Sequence, residues 1–321
     1  MLRIERPLDH PVITPDLHRS IGGNIQGPSL IKVPEWVSNP LGRYYLYFAD
    51  HKGAYIRLAY ADAVQGPWRI HPPGSLHLRD SLFLVDPPEP AADPGVGFAD
   101  GGTLSAKRSH SRHIEASTPH IASPDVHVNH EDHCIVMYYH GLEGYAKQST
   151  RVAISRDGLN FTARPEILGR TYFRVFRHED LFYALAMPGQ FYRSRNRYSG
   201  FEPGPLAFNR DMRHSAVMVR GRKLYVFWTQ VGHAPESILL STVELPGDWQ
   251  RWRESEPVQI LRPEFDWEGA DAPLEPSIRS TAYGHVNQMR DPAIFVEAGS
   301  IYLLYAVAGE SGIAIARVII D

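Results

Sequence analysis

One strand pattern recurs five times along this chain, and that recurrence limits the fold more than any other feature. Each copy opens on a short apolar run, turns, and continues as an aromatic-rich strand. A third strand then closes on a polar turn. The copies open at residues 27–33, 123–128, 172–177, 215–219 and 292–296. Apolar and polar residues alternate over about five to seven positions in each, which is the period of a strand and not of a helix. A sheet built from such strands cannot bury both of its faces alone, whereas repeated sheets set side by side around an axis can. The sequence therefore predicts an all-β chain folded as a five-bladed β-propeller, with about four antiparallel strands per blade.

The predicted blades cover residues 22–73, 118–165, 168–208, 212–255 and 286–321 of one domain spanning 1–321. The last copy lacks an outermost strand, and the N-terminal segment 3–13 is expected to supply it and close the ring. Two segments, 74–117 and 256–285, interrupt the period, and loops of that length usually carry function. With 26 glycines and 26 prolines the chain has the turns that many short strands need. The net charge of −3 shows no basic surplus, so no nucleic-acid partner is expected. No stretch approaches the roughly 18 apolar residues that span a bilayer, and no membrane partner is expected. The first fifteen residues carry Arg3, Glu5, Arg6 and Asp9 instead of a signal peptide's apolar run, so the chain as written reads as cytoplasmic. A single cysteine, Cys134, allows no internal disulfide.

Two motifs carry a resemblance. Ser123-Pro124-Asp125-Val126 resembles the Ala-Pro-Asp-Val signature of the second blade in family 43 glycoside hydrolases. Arg290-Asp291-Pro292-Ala293-Ile294-Phe295, followed by Ile301-Tyr302-Leu303-Leu304-Tyr305, resembles the Asp-Pro signature and aromatic strand of a catalytic blade. At the level of repeat architecture the resemblance covers residues 22–321 and takes in the arabinanase, levansucrase and invertase relatives. It implies a glycosidase working with three carboxylates: a base on blade one, a pKa-tuning Asp on blade two and an acid on blade three. This chain departs from that set. Blade one opens Asn24-Ile25-Gln26-Gly27-Pro28 with no acid, and blade three opens Arg170-Thr171-Tyr172-Phe173-Arg174 with no Glu. The resemblance requires no cofactor and is compatible with an axial calcium or other ion.

Polar residues at the starts of innermost strands converge on the axis of a propeller. Glycoside hydrolysis needs an acid for the leaving oxygen and a second carboxylate for water or for the sugar. Asp125 and Asp291 are the candidate pair, and His214 is a candidate acid in place of the missing carboxylate. Asp125 also reads as a strand-start cap, and His214 as a hydrogen-bonded core histidine. Candidate substrate-binding residues are Asn24, Gln26, His127, His140, Arg174, Arg213, Gln288, Arg290 and Glu310. Arg174, Arg213 and Arg290 point to an anionic carbohydrate. Tyr172, Trp228, Trp267 and Tyr283 are candidates to stack on sugars, although aromatics in such strands are more often core. The histidines at 110, 113, 120, 127, 130, 133 and 140 match no zinc spacing. Asp100-Gly101-Gly102 lacks the strand-to-helix setting of a phosphate loop. The leading function is a glycoside hydrolase, and the alternative is a carbohydrate-binding propeller that has lost its acids.

Overall fold

A computed structural model describes residues 2–90 and 111–320. Asp100-Gly101-Gly102 and His110 lie outside the described residues. The strands form five sheets, each of four antiparallel strands, arranged as a five-bladed propeller. Blade one runs outward through Gln26–Lys32, Tyr44–Ala49, Tyr55–Ala61 and Arg69–His77. Blade two runs through Ile121–Asn129, Cys134–Gly144, Lys147–Ser155 and Thr162–Ala163. Blade three runs through Arg174–His178, Leu181–Ala186, Gln190–Ser194 and Glu202–Leu206. Blade four runs through Met212–Arg220, Lys223–Gln230, Ile238–Glu244 and Val258–Leu261. Blade five runs through Arg290–Glu297, Ser300–Val307, Gly312–Ile320 and, outermost, Leu2–Glu5.

The second strand of blade one shows why this architecture suits the sequence. Every residue of Tyr44–Ala49 is buried. Tyr45 and Tyr47 face the apolar cluster shared with blade two, whereas Tyr44, Leu46 and Phe48 face the cluster shared with blade five. Alternate side chains point to opposite faces, so a strand that is apolar at every position needs cover on both sides. Neighbouring blades supply it.

Two boundaries differ from the sequence reading. The outer strand of blade one reaches His77, and that of blade four, Val258–Leu261, lies inside the segment read as an insertion. The connection to the latter passes through Trp249 and Trp252, both buried in the core between blades three and four, so the strand signal is short and displaced. The first long excursion also contains a short helix, Arg112–Ser117, capped by Ser111, whose Oγ accepts from the Ile114 amide at 3.3 Å. Among the described residues no helix is long and apolar enough to cross a membrane.

The ring closes through residues far apart in sequence. Leu2 pairs with Ile320 and Glu5 with Arg317. Next to this strand, Arg6 donates to buried Glu268 at 2.7 Å. Leu2 and Ile4 pack against the core between blades four and five. A chain lacking residues 1–5 is expected to lose roughly 2–4 kcal/mol, from two half-buried apolar side chains and a short ladder. Urea unfolding checks this, and an unchanged midpoint would show that closure adds no stability.

One local feature positions the site. The innermost strands of blades one, two, four and five each break register near their start, at Gln26/Ser29, Ala122/Asp125, Met212/Ser215 and Arg290/Ala293. Such bulges re-aim side chains and recur next to active sites. Gly27-Pro28, Ser123-Pro124 and Asp291-Pro292 occupy equivalent places in three of them. Gly27, Ser123, Tyr172 and Asp291 all have positive φ, of 63°, 49°, 60° and 49°. A Cβ on Gly27 would lie 2.9 Å from the Ser123 Cα, so blade one has no room for the aspartate that blade five carries in this slot.

Candidate active site

The inner-strand starts and the turns between second and third strands lie at the same end of the axis, because successive strands run antiparallel. A cavity of about 410 Å³ opens there, within the usual size range of small-ligand sites. Tyr172, Arg213 and His214 reach it from strand starts, His51 from a turn, and Gln148 from the start of the third strand of blade two. Both interruptions of the repeat contribute as well: the helix Arg112–Ser117 provides Glu115, and the segment before blade five provides Arg279 and Ser280. The two are tied together by the Ser280 hydroxyl, which donates to Glu115 Oε1 at 2.7 Å.

Glu115 is poised as an ionised carboxylate. Burial would raise its pKa, but Lys52 Nζ at 3.3 Å and the Ser280 hydroxyl outweigh burial and hold the carboxyl below its ordinary value. His214 Nδ1 lies 2.9 Å from Asp291 Oδ1, and both residues are buried. Ring and carboxylate are not aligned as a linear hydrogen bond. Burial lowers the His214 pKa, and Asp291 opposes that shift without cancelling it. The Tyr172 ring stacks at a tilt between His214, 4.7 Å away by centroid, and His140, 4.4 Å away. His140 is buried beside His120, and burial first, then the neighbouring positive groups, hold it neutral.

Below the cavity lies a charged network. Glu310 is fully buried and accepts from Arg290 Nη1 at 2.8 Å and from Asn24 Nδ2 at 2.7 Å. Its carboxyl is held far below the ordinary range; burial opposes this, while His51, Arg290 and Asn24 favour the charged form. Arg290 also donates through Nε to Gln288 Oε1 at 3.0 Å. Glu236, fully buried, sits 3.5 Å from Arg290 Nε and 3.6 Å from Arg213 Nη1 without a hydrogen bond to either.

The candidates named from sequence therefore divide. Arg213 and His214 line the cavity, with Asp291 directly behind His214. Asn24, Gln288, Arg290 and Glu310 form the network beneath it. Gln26 is buried, and its Oε1 accepts from the Ser123 hydroxyl at 3.3 Å. His140 lies in the ring stack. Asp125 is not brought into a pair with Asp291. It lines a second cavity of about 350 Å³ along the inner strands, together with His127 and Arg174. There His127 Nε2 approaches Asp125 Oδ2 at 2.8 Å, and the Val175 amide donates to the same oxygen at 2.8 Å. Arg174 donates to the carbonyls of Ser215 and Pro124 and so holds inner strands together. Trp228 is core, with its indole N–H on Ser241 Oγ.

Sequence reasoning passed over His51, Glu115, Glu236 and Arg279. Only Glu115 had a signal, an acid inside an excursion long enough to fold back. A calcium ion needs several oxygen ligands. The axial acids Glu236, Glu310 and Asp291 are each answered by an arginine or histidine. Among the described residues no three His, Cys, Asp or Glu side chains are grouped to hold a metal, so the residues present do not fit that ion.

No family model matches the chain. The uncharacterized protein R118 of Acanthamoeba polyphaga mimivirus is 34% identical over 321 residues, covering 92% of this chain and 83% of that protein. Solved structures share the fold at low identity. One is a β-xylosidase/α-arabinofuranosidase of family 43 from a compost metagenome, in complex with xylotriose, at TM-score 0.59 and 11% identity over 98% of this chain and 94% of that one. Another is a thermostable family 43 glycoside hydrolase, at TM-score 0.53 and 14% identity over 93% and 89%. An exo-1,5-α-L-arabinanase from a bovine ruminal metagenome gives 0.54 and 10% over 93% and 94%. The chain belongs to the same protein family as mimivirus R118, built on the five-bladed propeller fold of the family 43 glycoside hydrolases.

Proposed function

We propose that this protein hydrolyses a glycosidic bond, with the sugar seated in the cavity at the strand-start end of the axis. The observation that carries the reading is that His214, backed by Asp291, and ionised Glu115 open onto one cavity of ligand size. The fold, shared with an enzyme solved with xylotriose bound, supports a saccharide as the ligand class. Hydrolysis protonates the leaving oxygen as the C–O bond breaks, and takes a proton from the attacking water. His214 in its imidazolium form gives the first proton. Glu115 accepts the second. Asp291 steadies the charged ring.

These roles fix a pH profile. Glu115 works when ionised, above a pKa that lies below 4.5. His214 works when charged, below a pKa that lies under 6.5. Activity is expected to rise and fall as a bell whose optimum is on the acid side of 6.5. The test is kcat/KM against pH on whichever oligosaccharide of a neutral and anionic panel is cleaved. A rate that stays flat into the alkaline range would remove His214 as the acid.

A second reading, a carbohydrate-binding propeller without catalysis, is favoured by one observation: glycine fills the blade-one slot where an acid would stand, and no side chain fits there. Calorimetry separates the two readings, since binding without turnover across the panel supports the second.

A further inference from the structure

Resting on the reading that the cavity takes a saccharide, we propose that this saccharide is anionic, with a carboxylate or sulfate group seated against Arg210, Arg213 and Arg279. All three line the cavity, and Arg170 adds a fourth guanidinium on its wall. The chain as a whole is slightly acidic, at −3, so this concentration of positive charge is local.

The arginines are short of anionic partners, although Arg213 Nη2 donates to the Ile278 carbonyl. Among the described residues, Arg170 and Arg210 form no ion pair. Arg213 is 3% exposed, and its Nε has no hydrogen-bond partner. Its nearest carboxylate, Glu236 at 3.6 Å, is shared with Arg290 at 3.5 Å, so one acid answers two guanidiniums. Arg279 reaches Asp211 only at 4.0 Å. Its Nη2 instead donates to the Arg210 carbonyl at 2.8 Å, which holds the two arginines side by side. Among the described residues Glu115 is the one carboxylate on the cavity wall, and it is already answered by Lys52.

Withdrawing cations from water is costly unless an anion meets them. The strain registers on Arg213, whose pKa falls to about 10, through burial first and then through repulsion by Arg290. A guanidinium fork fits the paired oxygens of a carboxylate or sulfate, and such charge-assisted hydrogen bonds are the strong ones. The gradient from exposed Arg210 at the rim to buried Arg213 at the floor would draw such a group inward.

The test is calorimetry on the full chain with glucose, glucuronate, glucose 6-sulfate, their galacto epimers and inorganic sulfate. An anionic sugar is expected to bind at least roughly ten-fold more tightly than its neutral counterpart, and added salt should weaken only the anionic one. Arg210→Gln and Arg279→Gln should each weaken the anionic sugar about ten-fold more than they weaken the neutral one. Arg210 is exposed, so its replacement leaves the fold intact. Equal binding of charged and neutral sugars overturns the proposal, as does indifference to both substitutions. Inorganic sulfate binding as tightly as the sulfated sugar overturns the claim that the anion is carried on a saccharide. These monosaccharides contain no glycosidic bond, so the outcome is independent of glycoside hydrolysis. Cleavage of neutral glycans with no anion preference would sink this inference and leave the hydrolase reading standing.

Discussion

Replacing His214 with alanine is expected to lower kcat/KM by roughly 10²–10⁴-fold, the range that a positioned proton donor contributes. His214 is 1% exposed, so folding of the variant is checked by its urea midpoint, and His214→Gln serves as the closer match in volume. Glu115→Gln removes the proposed proton acceptor and should cost a comparable factor, mostly in kcat. Asp291→Asn makes a sharper test, because Asp291 acts through the ring. Its charge opposes the fall of the His214 pKa, so its loss lowers that pKa further. The alkaline limb of the profile should then move to lower pH, with a smaller loss of rate at the acid end. A purely structural role for Asp291 would lower stability and leave the limb in place. Wild-type rates in folded His214→Ala would exclude the assigned acid.

The second large effect is on stability. Arg290→Ala is expected to cost about 3–5 kcal/mol, because it strands two buried acids at once. Glu310 loses a partner at 2.8 Å, and Glu236 loses one of its two guanidiniums. Burial is what makes this severe, since Glu236 and Glu310 are each 0% exposed and water cannot take over. The network also fixes an acid-side dependence. The folded pKa of Glu310 is depressed, so its stabilisation is fully present above the ordinary 4.5 and is lost as pH falls through the folded value. Urea unfolding of Glu310→Gln should show a flatter decline below pH 4.5 than the wild type, along with lower stability at neutral pH. An Arg290→Ala variant that unfolds at the wild-type midpoint would mean that the acids find other partners.

The blades were legible because each carries its own period-two alternation, and blade packing demands that pattern on both faces. Tyr44–Ala49 is the clearest case, with its alternate residues divided between two cores. Reading strand starts singled out His214 and Arg213, which line the cavity, and Asp291, which lies behind His214, since position alone sends them to the axis. The same rule misdirects at Asp125. Asp291 precedes its proline and occupies the bulge, in the slot that Ser123 fills in blade two. Asp125 follows its proline and lies two residues farther along, level with Ala293, where side chains face the other cavity. Whether an acid stands before or after the proline decides which space it enters, and no periodicity reports that. His51, Glu115 and Arg279 come from a turn and two excursions, where backbone direction is set by contacts made only in the folded ring. Their chemistry was visible in the sequence; their meeting was not.

The pairing of Leu2–Glu5 with Arg317–Ile320 also bears on how the molecule is made. On the ribosome the outermost strand of the fifth blade, Leu2–Glu5, emerges before the other described strands of the propeller, and its partner emerges after them. Throughout synthesis the first strand waits without a ladder, and the blade it completes cannot form. Once Gly312–Ile320 is released, it presents an open edge, and any copy of the strand can fill that edge, including one from another molecule. At high concentration during refolding, the misassembly to expect is an exchanged dimer in which each first strand finishes its neighbour's ring. A linkage joining residues 2 and 320 by a short loop, with new ends opened between blades, would convert that intermolecular hazard into a local hairpin.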